Sequence, residues 1–113
     1  MKDKLMHLKF ILQAAQKVVR YSNGLSFEMF IANEEKQSAI IMQMVVIGEL
    51  AKKLSDEEKS KVPLSWEQMA GFRNMAVHEY FKLELDRIWR AIQEDIPHLV
   101  KEIGAYFTEH KLN

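Results

Sequence analysis

The chain has no cysteine, so disulfides, thiolate metal sites and cysteine nucleophiles are excluded together. Glycine and proline are scarce, four and two in 113 residues, which leaves little room for long irregular loops. There is no net charge either, because sixteen basic side chains face sixteen acidic ones. A general nucleic-acid coat needs an excess of Lys and Arg, so any RNA contact must be local. The longest uncharged run, from Gln37 to Gly48, is too short to span a bilayer as a helix. Charges are spread through the first nine residues, with no apolar signal core or small-residue cleavage site. These absences predict a cytoplasmic protein with no membrane contact.

What is present is helical. Apolar residues make up 48% of the chain and charged residues 28%, an ordinary balance for one globular domain over residues 1–113. Seven methionines fit helices with adaptable packing surfaces. From about Lys2 to Tyr21, apolar residues recur at spacings of three and four: Leu5, Leu8, Ile11, Leu12, Ala15, Val18 and Val19. Ser22-Asn23-Gly24 ends that helix, with Gly24 placed as a left-handed cap. A short helix follows Ser26, with Phe27, Phe30 and Ile31 on its buried side and Tyr21, Phe27 and Phe30 packing a corner.

A second strong helix is predicted from Asn33 or Glu34 to Leu54. Its middle, from Ala39 to Leu50, is apolar nearly all round and must be covered on more than one side. A second copy of the chain is one source of that cover, a weak argument for a dimer. Gly48 is unfavourable inside a helix by about 1 kcal/mol relative to alanine, which implies close backbone approach to another helix or to a partner chain. Glu49 beside it is either a cap for a buried polar group or, more plainly, a solvated carboxylate. Ser55 and Glu58 have capping-box spacing, and Ser65 with Gln68 marks a clearer helix start. That helix carries Trp66, Met69, Ala70, Phe72, Ala76 and Val77. Lys82-Leu83-Glu84 breaks the pattern, and Asp86 caps a final helix bearing Ile88, Trp89, Ile92 and Ile96. Pro97 bends or restarts it, Leu99 to Phe107 continue its apolar face, and the tail from His110 to Asn113 frays. No strand-like alternation or internal repeat appears. The fold class is all-α, a bundle of four to five helices.

The chemistry concentrates in Gly71-Phe72-Arg73-Asn74-Met75-Ala76-Val77-His78-Glu79-Tyr80-Phe81. Arginine presents a fork suited to phosphate, and histidine changes charge near neutrality, so the pair suggests phosphodiester chemistry. On a regular helix Asn74 and His78 stack on one face, within hydrogen-bonding reach. Arg73 and Tyr80 share a face about 10 Å apart along the axis. Arg73 and His78 diverge by roughly 140°. To hold one phosphate, either the helix loosens near His78 or a second protomer completes the site across a two-fold axis. His78 would then be general base or acid for attack of a ribose 2′-hydroxyl, Arg73 would stabilise charge on the phosphate, and Asn74 would orient the imidazole or touch phosphate. A second proton-transfer group would come from the partner's His78, from water or from elsewhere. No metal or cofactor is required. His7, His98 and His110 lack ligand spacing and read as surface residues. On spacing alone the plainer reading weighs more: a solvent-facing arginine, a helix-end histidine and a tyrosine partly in the core.

The residues do more than match a spacing. Arg73-Asn74-Met75-Ala76-Val77-His78-Glu79-Tyr80 resembles the Arg-x4-His-x-Tyr motif of HEPN-domain ribonucleases of the HepT toxin family. Ile47 to Ser55 upstream, then Trp66, Ala70 and Gly71, and downstream Tyr80-Phe81, Ile88-Trp89 and Asp95 to Leu99, are also similar, so the likeness runs over roughly residues 5–105. The resemblance implies a HEPN bundle, a homodimer with composite active sites, and metal-independent cleavage of RNA as the toxin of a type VII-like toxin–antitoxin pair. It carries Arg73 and His78 over as catalytic, with Asn74 as their polar neighbour. It also implies a minimal nucleotidyltransferase antitoxin as partner, transferring AMP to Tyr80. A nucleotide there would add bulk and negative charge on Arg73's face and oppose RNA binding. Two readings of other classes stand beside the toxin: a non-catalytic HEPN module that binds a nucleotidyltransferase, and a plain structural dimer.

Overall fold

The structure, a computed structural model, describes residues 5–110. Among them there is no strand: α1 (Met6–Ser22), α2 (Phe27–Ile31), α3 (Glu34–Lys52), α4 (Asp56–Lys61), α5 (Trp66–His78), a 3₁₀ turn (Tyr80–Lys82), α6 (Leu85–Arg90), a π-helical segment (Ala91–Asp95) and α7 (Ile96–Glu109). The last three run on without a break, so the all-α bundle has four long helical runs, with α2 and α4 as short turns in the connections. The predicted start near Lys2 and the tail beyond His110 lie outside the described residues.

α3 is the central element, packed on α1 along one flank and on α5 along the other, while α7 closes against α1. This explains its nearly uniform apolar circumference. Ile40, Ile41, Met44, Ile47 and Ala51 are buried, with Val45, Val46 and Leu50 packed beside them. Two helices of the same chain therefore supply most of the cover that the sequence demanded, and the circumference no longer argues by itself for a second copy. Leu8, Ile11, Ala14, Ala15 and Val18 of α1 and Ile96, Leu99, Ile103 and Phe107 of α7 complete the core.

The connections follow local chemistry. Gly24 takes φ +81°, the left-handed conformation expected of it. Ser26 Oγ accepts from Met29 N (3.1 Å) to start α2, and Asn33 Oδ1 accepts from Lys36 N (2.9 Å) to start α3. Gln37 Nε2 donates to the carbonyls of Phe30 and Ile31, both at 2.9 Å, so the end of α2 is satisfied by a side chain of α3. Phe30 is fully buried, and Phe27 and Phe30 meet Trp89 at centroid distances of 6.1 and 5.4 Å. Ile31, expected on the same buried side, is exposed: a one-turn helix brings a single side chain fully inward before the chain turns into α3.

Two expectations at helix starts, one near a helix end and one at a histidine meet corrections. Ser65 makes no side-chain cap. Its carbonyl accepts from Gln68 N and Met69 N, and α5 is anchored instead by Trp66, whose indole N–H donates to Val62 O at 2.9 Å. Asp86 does not cap α6, which begins one residue earlier, leaving Asp86 inside the first turn where a negative charge still suits the helix dipole. Val77, assigned to the apolar stripe of α5, is exposed near the free end of that helix. His7 is not a plain surface residue. Its Nδ1 lies 3.4 Å from Oε1 of Glu58, a carboxylate only 3% exposed that also accepts from Ser55 N (3.1 Å) in the predicted capping box.

Pro97 sits in the first turn of α7 and has no N–H to donate. Ala91–Asp95, ending two positions ahead of it, widen into the π-helical segment, which relieves the clash a proline ring makes with the carbonyl four residues back.

Gly48 is where α3 and α5 come closest. A Cβ built there would lie 2.5 Å from both Arg73 Cβ and the Met69 carbonyl oxygen. Alanine normally gains about 1 kcal/mol over glycine inside a helix. Here the clash includes backbone that cannot rotate away, and overpacking typically costs about 1–3 kcal/mol. Gly48→Ala is therefore expected to lower stability despite the better helix propensity, seen as a reduced urea midpoint with unchanged slope.

Candidate functional site

The same crossing positions Arg73. Its backbone is held against α3 at Gly48, and its side chain, 23% exposed, lies back along α3 so that Nε is 2.8 Å from Glu49 Oε1. Glu49 Oε1 has no aligned hydrogen-bond donor, so this contact is an ion pair held by charge rather than a well-directed hydrogen bond. On the other side Nη1 donates to Asn74 Oδ1 at 3.1 Å. Lys53 Nζ approaches Glu49 Oε2 at 3.9 Å. The guanidinium is thus held from two sides, with one N–H on Nη1 and both on Nη2 left for a ligand.

α5 ends at His78. Glu79 leaves helical geometry (φ −140°, ψ 48°), its N–H donates to Met75 O at 2.7 Å, and Tyr80–Lys82 form the 3₁₀ turn. Two geometric expectations fall here. Arg73 and Tyr80 do not share a helix face, because Tyr80 lies beyond the helix. Asn74 does not reach His78; its side-chain oxygen is taken by Arg73. Arg73 and His78 both lie within α5, five residues apart, and the chain leaves helical geometry only at Glu79, so the loosening begins beyond the pair. No hydrogen bond joins the two within the chain. His78 is exposed, Tyr80 is 53% exposed and Phe81 is 82% exposed, so imidazole, phenol and a large apolar ring all face outward at this end of the bundle.

Elsewhere, His98 and His110 are exposed as expected, with His110 stacked on Tyr106 at 4.3 Å between centroids. Among the described residues no three His, Asp or Glu side chains gather to hold a metal ion. No described helix is long and apolar enough to cross a membrane. Two features escaped the sequence. One is the pairing of Glu49 with Arg73, whose only trace was a carboxylate next to a helix-interior glycine. The other is a groove of about 870 Å³ between α3, α5 and the α6–α7 run, lined by residues such as Met44, Phe72 and Leu99.

An all-α bundle that carries an arginine and an amide along one helix, with an imidazole at its exposed end and a phenol in the turn beyond, belongs to the class of small helical proteins that the motif suggested. Comparison with known proteins narrows this. Residues 11–105 match the family model described as ribonuclease HepT-like, and the chain belongs to that family. It is 33% identical to a provisionally named RNase of Caldanaerobacter subterraneus subsp. tengcongensis over 98% of this chain and 100% of that one. It is 29% identical to a provisionally named RNase of Methanocaldococcus jannaschii, covering 90% of this chain and 94% of that one. It is also 30% identical to the "Probable ribonuclease HepT" of Thermococcus cleftensis, over 82% and 86% of the two chains. No solved structure matches it.

The exposure of His78 at a helix end separates its chemistry from the fold. His78→Ala is expected to change unfolding free energy by less than about 1 kcal/mol, the scale of a charge at a helix C-terminus. Thermal and urea unfolding beside wild type check this, and make the variant a fair probe of activity.

Proposed function

We propose that the chain is a metal-independent endoribonuclease in which Arg73 and His78 are catalytic and Asn74 supports them. The observation that carries this reading is Arg73's fork, fixed at the α3–α5 crossing with free N–H groups, on the same helix whose exposed end is His78. The imidazole takes the proton from a ribose 2′-hydroxyl as the 2′-oxygen attacks the adjacent phosphorus. Arg73 donates to the non-bridging oxygens as charge builds on them. The bond to the 5′-oxygen breaks, and that oxygen takes up a proton from water or from the His78 of a second copy. The products are a 2′,3′-cyclic phosphate and a 5′-hydroxyl end. Asn74 serves the guanidinium rather than the imidazole.

A homodimer with composite sites is part of the proposal, because one chain supplies a single motif histidine. So is a role as the toxin of a type VII-like toxin–antitoxin pair, silenced by a minimal nucleotidyltransferase. In that step the Tyr80 phenolic oxygen attacks the α-phosphorus of ATP and pyrophosphate leaves. Support comes from the exposure of Tyr80 in a turn beside His78. AMP there adds bulk and a negative phosphate where RNA must approach.

The test is cleavage of total cellular RNA with EDTA present, comparing wild type, Arg73→Ala and His78→Ala, with intact-mass analysis of Tyr80 in each sample. Wild type is expected to leave cyclic phosphate ends, and each variant to lose at least about a hundredfold in rate, as loss of a general base or a charge-stabilising donor does. No cleavage by unmodified wild type would sink the enzyme and leave a helical module that binds the nucleotidyltransferase.

A further inference from the structure

We propose that Glu49 is a positioning residue for Arg73, acting through the ion pair across the α3–α5 crossing; this rests on the ribonuclease reading above. Glu49 lies outside the Arg-x4-His-x-Tyr motif, on a different helix, and only the fold brings it to the arginine. The geometry is specific. Gly48, the preceding residue, lets α5 approach so closely that Arg73 Cβ occupies the space of a side chain at that position. A guanidinium leaving α5 there has little freedom near its root, and Glu49 Oε1 meets its Nε at 2.8 Å. Asn74 then takes Nη1 at 3.1 Å.

An arginine side chain has several rotatable bonds, and fixing it when substrate binds costs conformational entropy. Two contacts made before RNA arrives remove most of that cost. They also choose which edge of the fork faces outward: Nε is turned towards Glu49, so phosphate meets Nη1 and Nη2. The carboxylate brings a second effect of opposite sign. It partly cancels the charge that attracts phosphate, with Lys53 3.9 Å from its other oxygen offsetting some of that loss. Glu49 therefore gives up ground-state attraction for orientation. That combination has a signature a merely structural residue lacks: its removal should slow the chemical step without weakening RNA binding.

The experiment uses the full chain as wild type, Glu49→Gln and Glu49→Asp, with a defined RNA that wild type cleaves. Steady-state kinetics are run beside thermal unfolding and the NMR signal of the Arg73 Nε–H, identified by its absence from Arg73→Lys. Glu49→Gln is expected to lower kcat about tenfold, on the scale of a misplaced catalytic group, with KM unchanged or reduced. Its Nε–H signal should shift as the neighbouring negative charge is removed, at an unchanged unfolding midpoint. Glu49→Asp should recover part of the kcat. A Glu49→Gln protein as fast as wild type, or faster, means that the carboxylate only restrains Arg73, and overturns the proposal. An unchanged Nε–H signal, or a loss of kcat that tracks a loss of folded protein, overturns it as well. If wild type cleaves no RNA, the ribonuclease reading fails and the positioning role falls with it. Failure in an active wild type touches Glu49 alone.

Discussion

Everything at the candidate site depends on how closely α3 and α5 pass at Gly48. With a hydrogen in place of a side chain, the α3 backbone at that point lies against Arg73 and the Met69 carbonyl, where no Cβ would fit. That contact fixes the two helices in register, and the apolar residues around it follow as consequences. Ile47 is buried just before the glycine and Ala51 just after it, so the seam stays narrow on both sides. Where the seam reaches solvent, the first charge in α3 after twelve uncharged residues is Glu49, and it meets Arg73. Packing and electrostatics are thus set by adjacent residues. A change in the spacing of the helices would move the guanidinium with them.

What the sequence made legible is what depends on period. Apolar residues at spacings of three and four located α1, an apolar face carried past Pro97 located α7, a run apolar nearly all round located α3, and the glycine in α3 announced a close approach whose partner proved to be α5. Endings were less legible. Gly24 is readable because only glycine is at ease at φ +81°. α5 ends at His78 with neither glycine nor proline behind it. The chain passes instead into a 3₁₀ turn closed by Lys82 N on Glu79 O and by the Lys82–Glu79 ion pair at 2.7 Å. Nothing in the run from Val77 to Lys82 distinguishes that turn from continued helix, so arguments from a regular helix placed Tyr80 on the wrong face. Ser65 shows the converse: a good capping residue stands at the start of α5, but Trp66 anchored on Val62 O decides the geometry.

Contacts between residues far apart in sequence were the least legible. Glu58 reads as the third position of a capping box, and it is one, but it is also buried. Burying a carboxylate is costly unless polar partners replace water. Ser55 supplies them locally to Oε1, and His7 supplies another to the same oxygen from 51 residues away, while Oε2 is buried with no hydrogen-bond partner among the described residues. Only the fold, which lays the start of α1 against α4, brings that pair together. Glu49 and Arg73 are separated in the same way, and a carboxylate that looks solvated in sequence becomes half of an ion pair.

The charge at the candidate site bears on how RNA would be held under the proposed function. The chain as a whole is neutral, and the motif's one guanidinium already faces a carboxylate at 2.8 Å. Lys82 is likewise occupied by Glu79, and Arg87 by Glu84 at 2.8 Å. Paired charges project little field beyond the Debye length, about 8 Å at physiological ionic strength. Long-range steering of a polyanion by this surface is therefore weak, and affinity has to come from short-range contacts. Those at hand are the free edge of the Arg73 fork and the exposed rings of Tyr80 and Phe81, on which unpaired bases can stack. Stacking tolerates any base but requires it to be unpaired. Under the proposed function, a site of this composition would favour single-stranded, locally splayed RNA over duplex, through shape and stacking rather than through charge.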